Sequence, residues 1–251
     1  MLIGAGPGDP ELITVKGAKA LAEADVIVYD RLASPALFEH CRPDAERVYV
    51  GKEPGKDHLS QERIDDLLVD AAGRGLVVAR LKGGDPLVFG RGGEELLACA
   101  HANIPCEVIP GVTSATAAAA AAGVPLTHRR VARSFAVVTG TTATEGERVD
   151  LEALAGAVDT LVVLMAAGKL EALCEALIGA GRAPDEPAAV VQWATTPDER
   201  RVIATIGDLA ETSRAARIGP PATLIVGAVA AIPAEAAALA ASLSDAHPSA
   251  R

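Results

Sequence analysis

Aromatic side chains are nearly absent: three phenylalanines, two tyrosines and one tryptophan serve 251 residues. A chain so poor in stacking surface has little with which to hold single-stranded nucleic acid. Its formal charge of −10 also repels a phosphate backbone, so nucleic acid is excluded as the expected partner. Long apolar runs are lacking too. The run Ala115 to Ala122 stops far short of the roughly 20 apolar residues that span a bilayer, so no membrane is expected. Cysteine is sparse, and Cys41, Cys99, Cys106 and Cys174 show no metal-ligand spacing. Three of them lie in apolar surroundings and read as reduced thiols of a cytoplasmic protein. No cluster of histidine, cysteine and carboxylate has metal spacing, so no metal is expected. Met1-Leu2-Ile3 leads straight into a glycine loop, with no basic segment or cleavage site, so no secretory leader is expected.

What is present is small and aliphatic. Half the residues are apolar, and the core is built of Ala, Val, Leu and Ile. At this length one large or two modest domains are expected. Apolar strands alternate with amphipathic helices. Val15 to Ala24 reads as a helix capped by Thr14, Asp25 to Asp30 as a strand, and Arg47 to Gly51 as another. Ser60 caps a helix with Ile64, Leu67, Leu68 and Ala71 on one face. Leu76 to Leu81 reads as a buried strand, Glu94 to Ala102 as a helix, and Cys106 to Ile109 as a strand. Thr113 to Ala122 is a helix of small residues. This pattern predicts a largely parallel sheet covered on both faces. After Arg130 the alternation restarts with strands at Phe135 to Thr139, Leu161 to Met165 and Ala188 to Gln192. Arg201 to Ile206 and Thr223 to Val229 follow as β segments around a helix at Leu209 to Ala216. Thr141 to Asp150 reads as a mobile loop. The expected organisation is two α/β lobes, 1–130 and 131–232, with the active-site cleft between them and an alanine-rich, polar tail at 233–251.

Two glycine-rich segments stand out. Lys82 to Glu95 holds five glycines between a strand and a helix. Glycine is costly there unless the backbone turns sharply or approaches a ligand, and open α/β sheets bind ligands at such carboxyl ends. Gly4-Ala5-Gly6-Pro7-Gly8-Asp9-Pro10 follows the first strand, and Asp30 ends the second roughly 20 residues on, as in a dinucleotide site. The fit to that fingerprint is poor. Asp9 stands where glycine is needed, and Pro7 and Pro10 keep a helix from starting at the phosphate position.

These segments occur in one order with Tyr29-Asp30-Arg31-Leu32, Tyr49-Val50-Gly51-Lys52, Gly90-Arg91-Gly92-Gly93-Glu94-Glu95 and Pro125-Leu126-Thr127-His128-Arg129. Together they resemble the uroporphyrinogen-III C-methyltransferases of the tetrapyrrole methyltransferase group, over nearly the whole chain. The resemblance implies a tetrapyrrole methylase-like fold binding S-adenosylmethionine, with S-adenosylhomocysteine as product. It implies cofactor contacts from Pro7, Gly83, Gly84, Asp85, Val88, Thr113, Ser114 and Met165 and from the backbone near Ala194 and Ala222. The family usually has glycine where Ala194 stands. It implies substrate contacts from Arg91, Glu94 and Arg129, proton handling by Asp30 and Lys52, and a homodimer. The implied reaction is methylation of uroporphyrinogen III, twice, toward sirohaem or cobalamin. Two other readings stay open: a methyltransferase of a later precorrin, and a non-catalytic tetrapyrrole-binding protein.

The chemistry agrees with that resemblance. A carboxylate-rich tetrapyrrole needs local positive charge on an acidic protein, and Arg80, Lys82, Arg91, Arg129, Arg130 and Arg133 are placed to supply it. Arginine suits carboxylates because its planar fork bonds them in pairs. Ring methylation leaves a cation that must lose a proton, so one base is useful. Asp30 serves equally well as a turn aspartate, Lys52 as a surface lysine, and Arg91 is a third proton-handling candidate. His128 reads as a loop histidine and Trp193 as a packing residue.

Overall fold

The computed structural model describes residues 1–51, 59–140 and 149–246. The chain divides into two compact units, Met1–Ser114 and Ala115–Arg251. The division falls before the alanine helix rather than at residue 130.

The first unit contains β1 (Leu2–Gly4), α1 (Val15–Glu23), β2 (Val26–Tyr29), β3 (Glu46–Tyr49), α2 (Gln61–Gly73), β4 (Val78–Lys82), α3 (Gly92–His101) and β5 (Val108–Ile109). Thr14 caps α1 by accepting from Gly17 N at 3.0 Å, and Ser60 caps α2 by accepting from Arg63 N at 3.3 Å, as expected of helix-opening hydroxyls. The strands pair in the order β3-β2-β4-β1-β5, all parallel. Successive side chains point to opposite faces. Ile27, Ala79 and Leu81 therefore enter one core cluster with Leu21 and Leu37, while Val26, Val28 and Val78 enter another beneath Ile64 and Leu68 of α2. The same alternation puts Arg80 and Lys82 on the face of Val78. That fact decides their role.

The second unit contains α4 (Ser114–Ala122), of which Ser114 belongs to the first unit, then β6 (Phe135–Thr139), α5 (Leu151–Ala157), β7 (Thr160–Leu164), α6 (Leu170–Gly179), β8 (Pro187–Gln192), β9 (Arg200–Thr205), α7 (Ile206–Ala215), β10 (Ala222–Val226) and α8 (Ile232–Ala246). Its sheet runs β6-β7-β10-β8-β9 and is mixed: only β6 and β7 pair in parallel. The short loop from Gln192 to Arg200 joins β8 to β9 directly, and a parallel pair would need a crossover of roughly a dozen residues or more. Ala115, Ala118, Ala119 and Ala122 of α4 pack against Val162, Ala189 and Ile225. Small side chains let that helix approach the sheet closely. Asp150, read from sequence as the end of a loop, caps α5 by accepting from Ala153 N at 2.8 Å. Most of that loop lies outside the described residues. The segment after Pro233, read as a polar tail, is helical through Ala246. Among the described residues no helix is long and apolar enough to cross a membrane.

All four cysteines are free. Burial pushes the thiols of Cys99 and Cys174 up to about 11, with the Cys106 thiol adding to the effect at Cys99. The ordinary thiol value is 9.0, so between that pH and about 11 the unfolded chain binds fewer protons than the folded one. The stability these thiols contribute is full below pH 9 and is lost as pH rises through the folded value. Denaturant melts across that window are expected to weaken with rising pH, and Cys174→Ala is expected to flatten the slope. An unchanged slope in the variant would place the alkaline loss elsewhere.

Candidate active site

In the first unit the loops after β1, β4 and β5 meet because those strands are neighbours at one sheet edge. Ala5 N donates to Lys82 O at 2.7 Å, and Gly6 and Gly84 exchange backbone hydrogen bonds of 3.2 and 2.7 Å. A Cβ on Gly4 would lie 2.5 Å from Gly111 Cα, and one on Gly111 would lie 2.3 Å from Gly84 O. Only glycine permits this approach. Asp85 ties the loops together: Oδ1 accepts from Leu87 N at 2.8 Å and Oδ2 from Gly111 N at 3.0 Å. Gly84 has φ +69°, and its Cβ direction opens toward Thr113 and Ser114 at 3.8–3.9 Å. Three sequence-predicted cofactor segments thus lie within one unit and against one another. Pro7 sits in the first of these loops, whose Asp9 caps the 3-10 turn Pro10–Leu12, and α1 begins only at Val15. That is not how a dinucleotide fingerprint presents a helix to phosphate.

Asp30 follows β2. Its Oδ1 accepts from Leu32 N at 3.0 Å, the turn role, while Oδ2 accepts from Arg80 Nη2 at 3.2 Å. Arg80 and Lys82 were expected to offer charge to a substrate. The structure corrects this, because both are 4% exposed and both bond Glu95 Oε1, Arg80 Nε at 3.0 Å and Lys82 Nζ at 2.9 Å. Strand alternation turns them under α3, where the fully buried Glu95 compensates them. Burial, aided by the Arg80 charge, holds the Lys82 ammonium below its ordinary pKa against the pull of Glu95. Glu95 escaped sequence reasoning because it reads as one more acid opening a helix. Its signal was a strand carrying Arg80 and Lys82 two residues apart on one face, which demands a buried anion. Lys52 lies outside the described residues.

Arg91 takes φ +59° at the N-cap of α3, and Phe89 two residues earlier takes φ +53°. Non-glycine residues in this region carry strain that clusters at functional sites. Arg91 bonds Glu94 through Nε at 2.9 and 3.1 Å and Nη2 at 2.5 Å, with both side chains about half exposed. That pairing lowers the Glu94 carboxyl pKa and raises that of Arg91. Nη1 of Arg91 takes no part in it. Val88 is exposed in the same loop.

In the second unit, the loop after β7, the loop after β8 and the start of β10 converge. Ala166 N donates to Ala222 O, and Trp193 N donates to Pro221 O, both at 3.1 Å. Met165, Trp193 and Thr195 all take positive φ, 58°, 47° and 70°. Met165 is 47% exposed, whereas the Ala194 methyl packs in the apolar cluster with Val191. The strained backbone at Trp193 and Thr195 has no sequence signal. Arg129 lies in a tight turn closed by His128 N to Ala132 O at 2.8 Å and Ala132 N to His128 O at 2.9 Å. Arg129, Arg130 and Arg133 are exposed. A concavity of about 780 Å³ lies elsewhere, lined by Val26, Val48, Leu67 and Asp70 along β3 and α2. It joins none of the strained or glycine-bearing loops.

Comparison with known proteins adds to this geometry. The family model of tetrapyrrole (corrin/porphyrin) methylases matches residues 1–210. A uroporphyrinogen-III C-methyltransferase of Methanocaldococcus jannaschii is 49% identical over 232 residues, 91% of this chain and 95% of its own. The crystal structure of uroporphyrin-III C-methyl transferase from Thermus thermophilus complexed with S-adenyl homocysteine is 45% identical, with TM-score 0.79 over 92% of this chain and 98% of its own. A cobalt precorrin-4 methyltransferase structure is 32% identical with TM-score 0.82, covering 91% and 94% of the two chains. On its fold, its glycine-lined strand edge and these matches, the chain belongs to the tetrapyrrole (corrin/porphyrin) methylases.

Proposed function

We propose that this chain transfers methyl groups from S-adenosylmethionine to uroporphyrinogen III, twice, giving precorrin-1 and then precorrin-2 for sirohaem or cobalamin synthesis. The observation that carries the reading is the meeting of Gly4–Pro10, Gly83–Asp85 and Gly111–Ser114 at one sheet edge, with Asp30 held at the end of β2. A cobalt precorrin-4 enzyme shares the fold closely, so fold does not separate substrates. The Gly90-Arg91-Gly92-Gly93-Glu94-Glu95 segment and the higher identity to uroporphyrinogen enzymes favour the earlier substrate.

S-adenosylmethionine, when bound, supplies a methyl group already activated on a sulfonium, so the protein has mainly to orient the partners. Gly84 and its loop admit the cofactor, with Pro7, Gly83, Val88, Thr113 and Ser114 of the same unit as its expected contacts; Met165, Ala194 and Ala222 are further candidate cofactor contacts. Asp85 shapes this loop, since both its oxygens already bond backbone. Arg91 offers Nη1 to a substrate carboxylate while Glu94 holds its other edge, and Arg129 pairs a second carboxylate. Asp30 accepts the ring proton, and Lys52 assists as donor. We place the enzyme in the cytoplasm as a homodimer.

Calorimetry with S-adenosylhomocysteine alone tests the cofactor half of this reading. A non-catalytic tetrapyrrole carrier would give no heat. Gly84→Val is expected to weaken that binding at least tenfold, about 1.4 kcal/mol, because a branched side chain at φ +69° fills the space toward Thr113 and Ser114. Unchanged affinity in the folded variant would remove this loop from the cofactor site.

A further inference from the structure

The Asp30 carboxylate is held by more than its own turn. Arg80 reaches it from β4, and every edge of that guanidinium is committed. Nε donates to Glu95 Oε1 at 3.0 Å, Nη1 to Leu81 O at 3.0 Å and Val28 O at 3.4 Å, and Nη2 to Asp30 Oδ2 at 3.2 Å. The fork is planar and rigid, so fixing Nε and Nη1 fixes where Nη2 points. Glu95 is the anchor. It is 0% exposed, and one oxygen, Oε1, takes Arg80, Lys82 and Gln61 Nε2 at 3.3 Å. Its other oxygen, Oε2, is buried with no hydrogen-bond partner among the described residues. A buried carboxylate shared by two cations, with one oxygen unsatisfied, is a poor source of stability compared with apolar packing. Its arrangement makes sense as a device for orientation.

We propose that Glu95 is a positioning residue of the methyl-transfer site, acting through Arg80 to hold the Asp30 carboxylate in place. The role rests on the reading of Asp30 as proton acceptor. Lys82 balances the charge: without it the Glu95–Arg80–Asp30 chain would carry a net negative charge under α3. Glu95 itself touches no reacting atom, so its effect belongs to the rate of transfer and not to the affinity for either ligand.

A double-mutant cycle in the full chain tests this. Glu95→Gln keeps the shape and one acceptor but weakens the anchor. Single-turnover methyl transfer from S-adenosylmethionine to uroporphyrinogen III should slow roughly tenfold to a hundredfold, the loss typical of a small misplacement. The dissociation constants of S-adenosylhomocysteine and the porphyrinogen should change little. The variant carrying both Glu95→Gln and Asp30→Asn should be no slower than Asp30→Asn alone, because Glu95 acts through Asp30. A wild-type rate in Glu95→Gln, or a double variant slowed by the product of the two single losses, overturns the proposal. Asp30→Asn by itself reports on the proton-acceptor reading, so a wild-type rate there identifies that reading as the one that failed. Should Glu95→Gln not fold, Arg80→Lys carries the same cycle. It keeps the charge beside Glu95 but cannot bridge both carboxylates, so the same non-additivity with Asp30→Asn is expected.

Discussion

Asp30→Asn is expected to slow turnover by roughly 10² to 10⁴, with both ligands still bound. The two oxygens of Asp30 separate its possible duties. Oδ1 serves the turn by accepting from Leu32 N, and an asparagine Oδ1 can do the same. Oδ2 faces Arg80 Nη2, and an amide there would set donor against donor. A turn aspartate would therefore lose a little stability and almost no activity, whereas a proton acceptor would lose the chemical step. Single-turnover transfer at saturating ligands, read beside a thermal melt, tells them apart, since slow product release would mask a slowed step. Lys52→Met keeps the aliphatic stem and removes the charge, and it tests the donor in the same assay. Wild-type rates in both variants would move proton handling to Arg91.

Arg129→Ala is expected to weaken porphyrinogen binding by about 1.5–3 kcal/mol, the usual cost of losing a charge-assisted hydrogen bond. S-adenosylhomocysteine affinity should stay nearly intact. The turn that carries Arg129 is closed by backbone bonds between His128 and Ala132, so truncating the side chain leaves it standing. Titration of the variant with each ligand separately is the measurement. A variant that loses S-adenosylhomocysteine first would make Arg129 a cofactor-side or structural residue and would end the substrate assignment.

Periodicity and caps located most of the fold. Thr14 and Ser60 marked helix starts that the structure keeps, and the apolar runs Asp25 to Asp30 and Leu76 to Leu81 marked the strands β2 and β4. Strand direction was harder to read. Apolar strands between helices look alike whether they pair in parallel or not, and the antiparallel pairing of β8 with β9 is betrayed only by the short loop between them. The helical stretch to Ala246 was missed because its alanines and serines lack a sharp apolar stripe. In the candidate site, the glycine loops were legible because only glycine tolerates contacts such as Gly4 against Gly111. Arg80 and Lys82 were misread because charge near a site suggests a ligand, and only the three-dimensional placement of Glu95 shows their partner. The positive φ values of Trp193 and Thr195 fall on residue types that do not announce them.

Incubation of the protein with uroporphyrinogen III and S-adenosylmethionine labelled in its methyl group, followed by mass analysis of the tetrapyrrole, separates methyl transfer from mere binding. The expected result is a dimethylated product carrying two labels, preceded by a singly labelled intermediate, with stoichiometric S-adenosylhomocysteine. Bound but unlabelled porphyrinogen, or label appearing only when a later precorrin replaces uroporphyrinogen III, would contradict it.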